Sequence, residues 1–288
     1  HLGTCYYKGA GVAEDLPESA QWFRKAAEQN LANAQHDLGV CHLEGAGVPK
    51  DASEGARWFR KAADQGHKSA QYHLGNFYRD GAGVTQSHEA AAVWYRKAAD
   101  QNEPRAQNDL GICYYTGRGV AKDFKAAAAW YLKAAEQNSA EAQNNLGNCF
   151  AKGEGVPMDY AAAAKWWHKA AVQHHLGAQF NLGISHYKGL GVKQNFGEAV
   201  KWLRMAAEQD SATAQYILSA CYFDGNGVAE NRAEGYAWLA LAVGRVKEAA
   251  ELRTAMSKQM SPEQLADGYK RTKELRAQIE ARLKSGGK

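Results

Sequence analysis

The most reactive side chains in the sequence are five cysteines, which fall at one position of a repeating pattern. Cys5, Cys41, Cys113, Cys149 and Cys221 are separated by multiples of 36 residues. Neighbouring packed helices lie ~8–10 Å apart, whereas a disulfide needs Cα atoms within ~7 Å of each other. We therefore expect free thiols that are buried as small apolar groups. Free cysteines of this kind do not show whether the protein resides in a reducing or an oxidising compartment.

The histidines and the Gly-x-Gly sequences offer no clear chemistry. His36, His67, His73 and His88 are scattered, and His42 and His186 occupy a position filled mostly by aromatic residues. His168, His174 and His175 are the one metal-binding group worth weighing, but they lack the spacing of a zinc-protease motif, and we predict no metal. A dinucleotide loop requires a preceding strand and a third glycine, so we interpret Gly-x-Gly as a turn. No catalytic residue and no cofactor are predicted.

The charge is distributed unevenly along the chain. The net charge is +4, but residues 245–288 contain 11 Lys and Arg against 6 Asp and Glu. Residues 1–244 therefore contain 24 basic against 25 acidic side chains, a net of −1. Residues 1–244 are thus nearly neutral and lack the excess of basic residues typical of nucleic-acid binding. We therefore expect no nucleic-acid partner.

No apolar run approaches the ~18 residues that span a bilayer, so we expect no membrane insertion. The sequence opens within a repeat unit, and we expect an N-terminal segment with any targeting signal to be missing. The compartment, whether cytoplasmic, periplasmic or secreted, stays unassigned.

An ungapped repeat of 36 residues organises the sequence from residue 1 to residue 245. Tryptophan recurs at one position, Leu-Gly at another in six of seven copies, and Gly-x-Gly-Val at a third. The tryptophans are Trp22, Trp58, Trp94, Trp130, Trp166, Trp202 and Trp238. A unit this short cannot bury its apolar faces alone, so consecutive units must stack into a continuous core.

Each unit is predicted to contain two helices. In the second unit, Ala34, Leu38, Cys41 and His42 share one face of a first helix from about residue 33 to Glu44. The second helix begins after a strong N-cap residue in every unit. These caps are Asp15, Asp51, Ser87, Asp123, Asp159, Asn195 and Asn231. It ends at residues that tolerate a left-handed conformation, namely Asn30, Gly66, Asn102, Asn138 and Asp210.

The pattern decays after Trp238. Ser261, Pro262 and Gln264 supply the N-cap, first-turn proline and capping-box glutamine of a new helix. We predict capping helices over residues 246–283 and a disordered tail over residues 284–288.

These residues resemble the Sel-one-like repeat family, which is related to the tetratricopeptide repeats. The resemblance covers residues 1–245 and includes, in one unit, Ala106-Gln107, Leu110-Gly111, Gly117-Arg118-Gly119-Val120 and Lys133-Ala134-Ala135. It implies an all-α, right-handed superhelical solenoid of helix-turn-helix repeats, acting as an adaptor or scaffold. The ending looks like that of bacterial members, whereas the two cysteines per repeat of the cysteine-rich branch are absent.

The functional surface is expected where the repeat leaves the first helix free. At ~100° per residue, the positions of 36, 40 and 43 and their equivalents point away from the core. In the related repeats this first-helix face lines a concave groove, and its residues here vary between copies. The predicted partner-binding residues are His36, Tyr72, Asn76, Arg79, Asn108, Ile112, Tyr115, Asn144, Asn148, Phe180, Ile184, Tyr187, Tyr216 and Phe223.

The resulting hypothesis is a non-enzymatic scaffold that binds a protein or peptide in this groove. Asparagines would hydrogen bond an extended chain, and aromatic residues of the C-terminal half would hold an apolar anchor. The open alternatives are side chains that merely fill the groove, an RNA-reading solenoid, a hydrolase as suggested for cysteine-rich relatives, and self-association through the first repeat. We expect a monomer.

Overall fold

The computed structural model describes residues 1–286 and consists of helices joined by short connections. These helices divide between two compact units, and the first unit ends at Ser139. The helices of the first unit are α1 (Leu2–Lys8), α2 (Leu16–Glu28), α3 (Ala32–Glu44), α4 (Ala52–Asp64), α5 (Lys68–Asp80), α6 (His88–Asp100), α7 (Pro104–Thr116) and α8 (Phe124–Glu136). The helices of the second are α9 (Ala140–Lys152), α10 (Tyr160–Ala171), α11 (Leu176–Lys188), α12 (Phe196–Ala207), α13 (Ala212–Asp224), α14 (Arg232–Ala242), α15 (Ala249–Ser257) and α16 (Pro262–Lys284).

The helix ends follow the predicted capping residues. Asp51 accepts hydrogen bonds from the backbone N–H groups of Ser53 and Glu54, and each other predicted cap accepts in the same way. Helix α3 begins at Ala32, one residue before the predicted start. The predicted left-handed ends all have positive φ, and His174 (φ 64°) ends α10 in the same conformation, which the sequence analysis missed.

In several turns, Gly47 among them, the second glycine presses against the preceding repeat. A Cβ atom on Gly47, whose φ is +72°, would lie 2.0 Å from the carbonyl oxygen of Leu16 at the start of α2. Glycine is therefore required there for its missing side chain as well as for its backbone conformation.

The core is built from one tryptophan and one leucine layer per repeat. In the first unit, Trp94 packs with Phe59, Leu74 and Phe77, and Trp58 packs with the equivalent residues one repeat earlier. The leucines at 38, 74, 110, 146, 182 and 218 are all buried. Trp58 and Trp94 thus each join their own repeat to the one before it.

A ladder of glutamines also links consecutive repeats. The Gln65 amide donates to Gln35 Oε1 at 2.7 Å, and Gln35 in turn donates to the Ala27 carbonyl at 3.3 Å. The same pair recurs within each unit, for example from Gln209 to Gln179 at 2.7 Å. The last rung is missing, because Arg245 occupies the donor position and Gln215 Oε1 is buried without a partner.

Helix α16 closes the second unit. Its Leu275 and Ile279 join the apolar cluster around Trp238, and Arg271 pairs with Glu234 on α14 at 2.7 Å. Ser261 and Gln264 form the predicted capping box. The helix ends at Lys284, so the predicted tail begins too early, and residues 287–288 lie outside the described residues.

Candidate functional site

The cysteine column offers no activated nucleophile. Cys41, Cys113, Cys149 and Cys221 are buried free thiols, and Cys5 is half-buried. Burial is the largest cause that raises the pKa of the four buried thiols, in each case to about 11. These groups therefore stay protonated near neutral pH, whereas the thiolate is the reactive form.

The three histidines weighed as a metal group perform separate structural roles. The His175 Nδ1 atom accepts the Ala178 backbone N–H at 3.2 Å and so caps α11, while the His168 ring packs edge-on against Trp202. Across residues 1–286, no group of three His, Cys, Asp or Glu side chains is arranged to hold a metal ion.

Charged and aromatic groups contact one another on the first-helix face of the first unit. The Arg105 guanidinium lies over the Tyr72 ring at 4.7 Å, and Arg79 makes two hydrogen bonds to Asp80. Asn76 Oδ1 accepts the Tyr95 hydroxyl at 2.7 Å. His36 does not stand alone, because His67 and His73 lie beside it.

A small cavity of about 70 Å³ opens on the same face between α5, α6 and α7. It is lined by two of the predicted residues, Arg79 and Ile112, together with His88, Asp109 and Arg118. The Ile112 side chain is 38% exposed. Tyr115 nearby packs edge-on against Phe124 at 5.1 Å.

An asparagine network dominates the first-helix face of the second unit. The Asn148 Oδ1 atom accepts the Trp167 indole N–H at 3.1 Å and the Asn181 amide at 3.0 Å. The Asn181 amide also lies 3.4 Å from Asn144 Oδ1. These contacts turn the two oxygens inward and leave the amide nitrogens of Asn144 and Asn148 with no acceptor within the described residues.

Two of the predicted asparagines are less accessible than expected. Asn108 is only 7% exposed and donates to Asp109, and Asn144 is 9% exposed. The expectation that all four asparagines present free donors and acceptors is therefore corrected. A count of helical angle places these two residues on the first-helix face but does not reveal their burial.

The predicted apolar end is largely packed against its own unit. Phe180, Ile184 and Tyr187 are partly buried against the cluster around Trp238. Tyr216 and Phe223 pack against the apolar cluster that α14 and α15 form through Leu239, Ala242, Ala249 and Met256. The repeat pattern does not predict this cluster, because α15 lies outside it.

One signal in the sequence could have identified two of these contacts. Asn76 pairs with Tyr95, and Asn148 pairs with Trp167, each 19 residues later. Where the later residue is Phe59 or Leu203, the earlier position is Val40 or Ile184. The signal is incomplete, because Ile112 lies 19 residues before Tyr131, which is also a hydrogen-bond donor.

The comparisons with known proteins agree with this architecture. The family model described as Sel1 repeat matches residues 1–31, 32–67, 68–103, 104–139, 140–175, 177–211 and 212–243. No curated protein matches the chain. None of the helices in the described range combines the length and apolar character needed to cross a bilayer.

Two crystal structures of bacterial proteins are similar to the chain. A Sel1 repeat protein from Oxalobacter formigenes is 33% identical, with a TM-score of 0.74, over 88% of this chain and 74% of that one. A protective antigen of uropathogenic Escherichia coli strains, described as displaying an SLR fold, is 26% identical, with a TM-score of 0.54, over 98% of this chain and 85% of that one. The predicted all-α helical repeat solenoid is confirmed.

Proposed function

Because the chain belongs to the Sel1 repeat family, whose members generally mediate protein–protein interactions, we propose that its first-helix face binds an extended segment of a protein partner. The family membership supports protein binding in general.

The orientation of Asn148 and Asn144 is the observation that carries the proposal. Trp167 and Asn181 occupy their amide oxygens, and neither amide nitrogen is a buried unpaired atom. Asn148, which is partly exposed, therefore offers a hydrogen-bond donor whose orientation is fixed by Trp167 and Asn181, whereas Asn144, at 9% exposure, mainly supports this network. Backbone carbonyl oxygens of an extended peptide are the matching acceptors.

A partly exposed apolar patch lies one repeat further along the chain. Ile184 occupies the position equivalent to Asn148, and Phe180 the position equivalent to Asn144. Tyr187 packs edge-on against Phe196 at 5.3 Å, which limits its freedom. Fixed aromatic side chains of this type bind apolar anchors with little loss of entropy. We expect an apolar partner residue next to the segment that the asparagines bind.

The rival functions fit the side chains less well. The near neutrality of residues 1–244 favours a protein over RNA, since phosphate binding depends on clustered cations. Hydrolysis would need a nucleophile activated by a neighbouring base, and burial keeps the Cys41, Cys113, Cys149 and Cys221 thiols protonated near neutral pH.

Selection from a phage-displayed library of random peptides, followed by anisotropy titration of the enriched peptides, tests the proposal. Asn148→Asp keeps an oxygen for Trp167 and Asn181 but replaces the outward donor by a carboxylate. We expect this variant to bind the selected peptides at least tenfold more weakly, which is about 1.4 kcal/mol.

The matched control is Asn195→Asp. This residue caps α12, and aspartate fills the same position in four other repeats, so the charge change is equal and the cap is kept. We expect unchanged affinity for this control. Failure to enrich any peptide, or equal binding by both variants, refutes the proposal.

A further inference from the structure

Three histidines come together between the second and third repeats, in the first unit. The His36 ring of α3 stacks on His67, the N-cap of α5, with ring centroids 4.6 Å apart. His73 of α5 lies 5.6 Å from His36, and Phe59 of α4 stacks on His73 at 4.8 Å. His67 and His73 follow His36 by 31 and 37 residues, so no local sequence motif predicts the cluster.

The hydrogen bond that caps α5 requires a neutral His67 ring. His67 Nδ1 accepts the Ala70 backbone N–H at 3.2 Å, so its single proton must lie on Nε2. A second proton on His67 would occupy Nδ1 and remove the N-cap of α5. His36 Nδ1 lies 3.0 Å from Asp37 Oδ1, and His36 Nε2 is buried without a partner.

The surroundings of the cluster oppose added positive charge. Burial lowers the pKa of His73 to about 4, and His36, Arg105 and His67 add to this effect. Burial also lowers the pKa of His67, as does His36, while Asp37 acts in the opposite direction. Arg105 of α7 is itself paired with Glu103 at 2.9 Å. Asp37 is thus the one carboxylate that acts directly on the rings.

We propose that His36, His67 and His73 form a proton-responsive joint, which holds the second and third repeats together while neutral and opens in acid. Protonation of His67 removes the α5 cap and places a positive charge against the His36 ring of α3, and both changes favour separation of α5 from α3. This device concerns the repeat array itself, and it operates without a partner.

The other repeats supply a matched variant that cannot titrate in this range. Asparagine replaces His36 at positions 108 and 144, serine replaces His67 at 139 and 211, and asparagine replaces His73 at 145 and 181. Ser211 caps α13 by accepting the Ala214 N–H, so serine is able to keep the cap. The variant His36→Asn/His67→Ser/His73→Asn therefore removes the imidazoles while keeping residues that suit each position.

Hydrogen exchange of the α5 amides at pH 7 and pH 5, expressed as protection factors, tests the proposal. A histidine of pKa about 4 in the closed state and ~6.5 in the open state favours opening about thirtyfold at pH 5. Because the cluster is not wholly buried, we expect at least a tenfold loss of protection in the wild type, and less than threefold in the triple variant. His175 makes the same kind of cap on α11 without a stacked ring, so α11 should respond less than α5.

An NMR titration of the wild-type histidines supplies an independent result, which decides the matter even if the triple variant does not fold. The proposal expects His67 and His73 to titrate below ~6.5 with mutually dependent curves. Titration at or above that value, or an equal acid response of wild type and triple variant, overturns it.

Discussion

The glutamine ladder gives a prediction with an internal control, because its last member lacks a rung. Gln35 and Gln215 make equivalent donor bonds, to the Ala27 and Ala207 carbonyls and to the side chains of Asn30 and Asp210. The two glutamines differ at the Oε1 atom. Gln35 Oε1 accepts a hydrogen bond from the Gln65 amide at 2.7 Å, whereas Gln215 Oε1 is buried and accepts none.

We therefore expect Gln35→Met to destabilise the chain more than Gln215→Met. Methionine has a similar length and shape, so the packing loss is nearly equal in both variants. Gln35→Met loses a net hydrogen bond of ~1 kcal/mol, and Gln215→Met removes a buried unpaired acceptor that costs ~1–3 kcal/mol. The two variants should differ in free energy of unfolding by about 2 kcal/mol.

Urea unfolding followed by circular dichroism measures this difference. Because long repeat arrays depart from two-state unfolding, hydrogen exchange of α3 and α13 should be recorded beside it. Losses that agree within about 0.5 kcal/mol would refute the view that the ladder stabilises neighbouring repeats.

Three further predictions concern the thiols, the turns and the C-terminal helix. One thiol per native chain, that of half-buried Cys5, should react rapidly with a chromogenic disulfide at pH 8, and release of several would contradict the burial of the others. Gly47→Ala should lower the free energy of unfolding by more than ~3 kcal/mol, because the added Cβ atom would collide with backbone atoms of Leu16. Gly45→Asn should lower it by only ~1 kcal/mol, because Gly45 has a left-handed conformation with more space around it. Thermal unfolding of the two variants measures the difference. Glu234→Gln should lower the free energy of unfolding by ~1 kcal/mol, because it removes the ion pair with the partly exposed Arg271. It should also alter the fluorescence of Trp238, whose indole N–H donates to Glu234, and unchanged emission would contradict this hydrogen bond.

The repeat pattern predicted the helices and their caps because these depend on nearby residues. A side chain such as Asp51 caps a helix through atoms two and three residues away, so its effect is visible in the sequence. The start of α3 was misplaced by one residue because Leu31, its cap, has no side-chain acceptor to mark it.

The candidate site was predicted less well, because its environment comes from other repeats. The angle around α9 correctly places Asn144 and Asn148 together, but it gives no distance to Asn181 on the next first helix. The burial of Asn108 and the packing of Phe223 against the cluster that α14 and α15 form also depend on distances between helices, which the helical angle does not give. Comparing repeats at offsets of 19, 31 and 37 residues would have predicted more of these contacts than counting helical turns.

The contact made by the second turn glycine has a consequence for how such chains lengthen. Gly47 meets backbone atoms of Leu16, and Gly83 and Gly119 meet the backbone of Ala52 and His88 in the same way. A junction formed by main-chain atoms accepts any incoming neighbour of the same backbone geometry, whatever its side chains. Copies can therefore be duplicated, deleted or exchanged as interchangeable modules while their outward residues diverge.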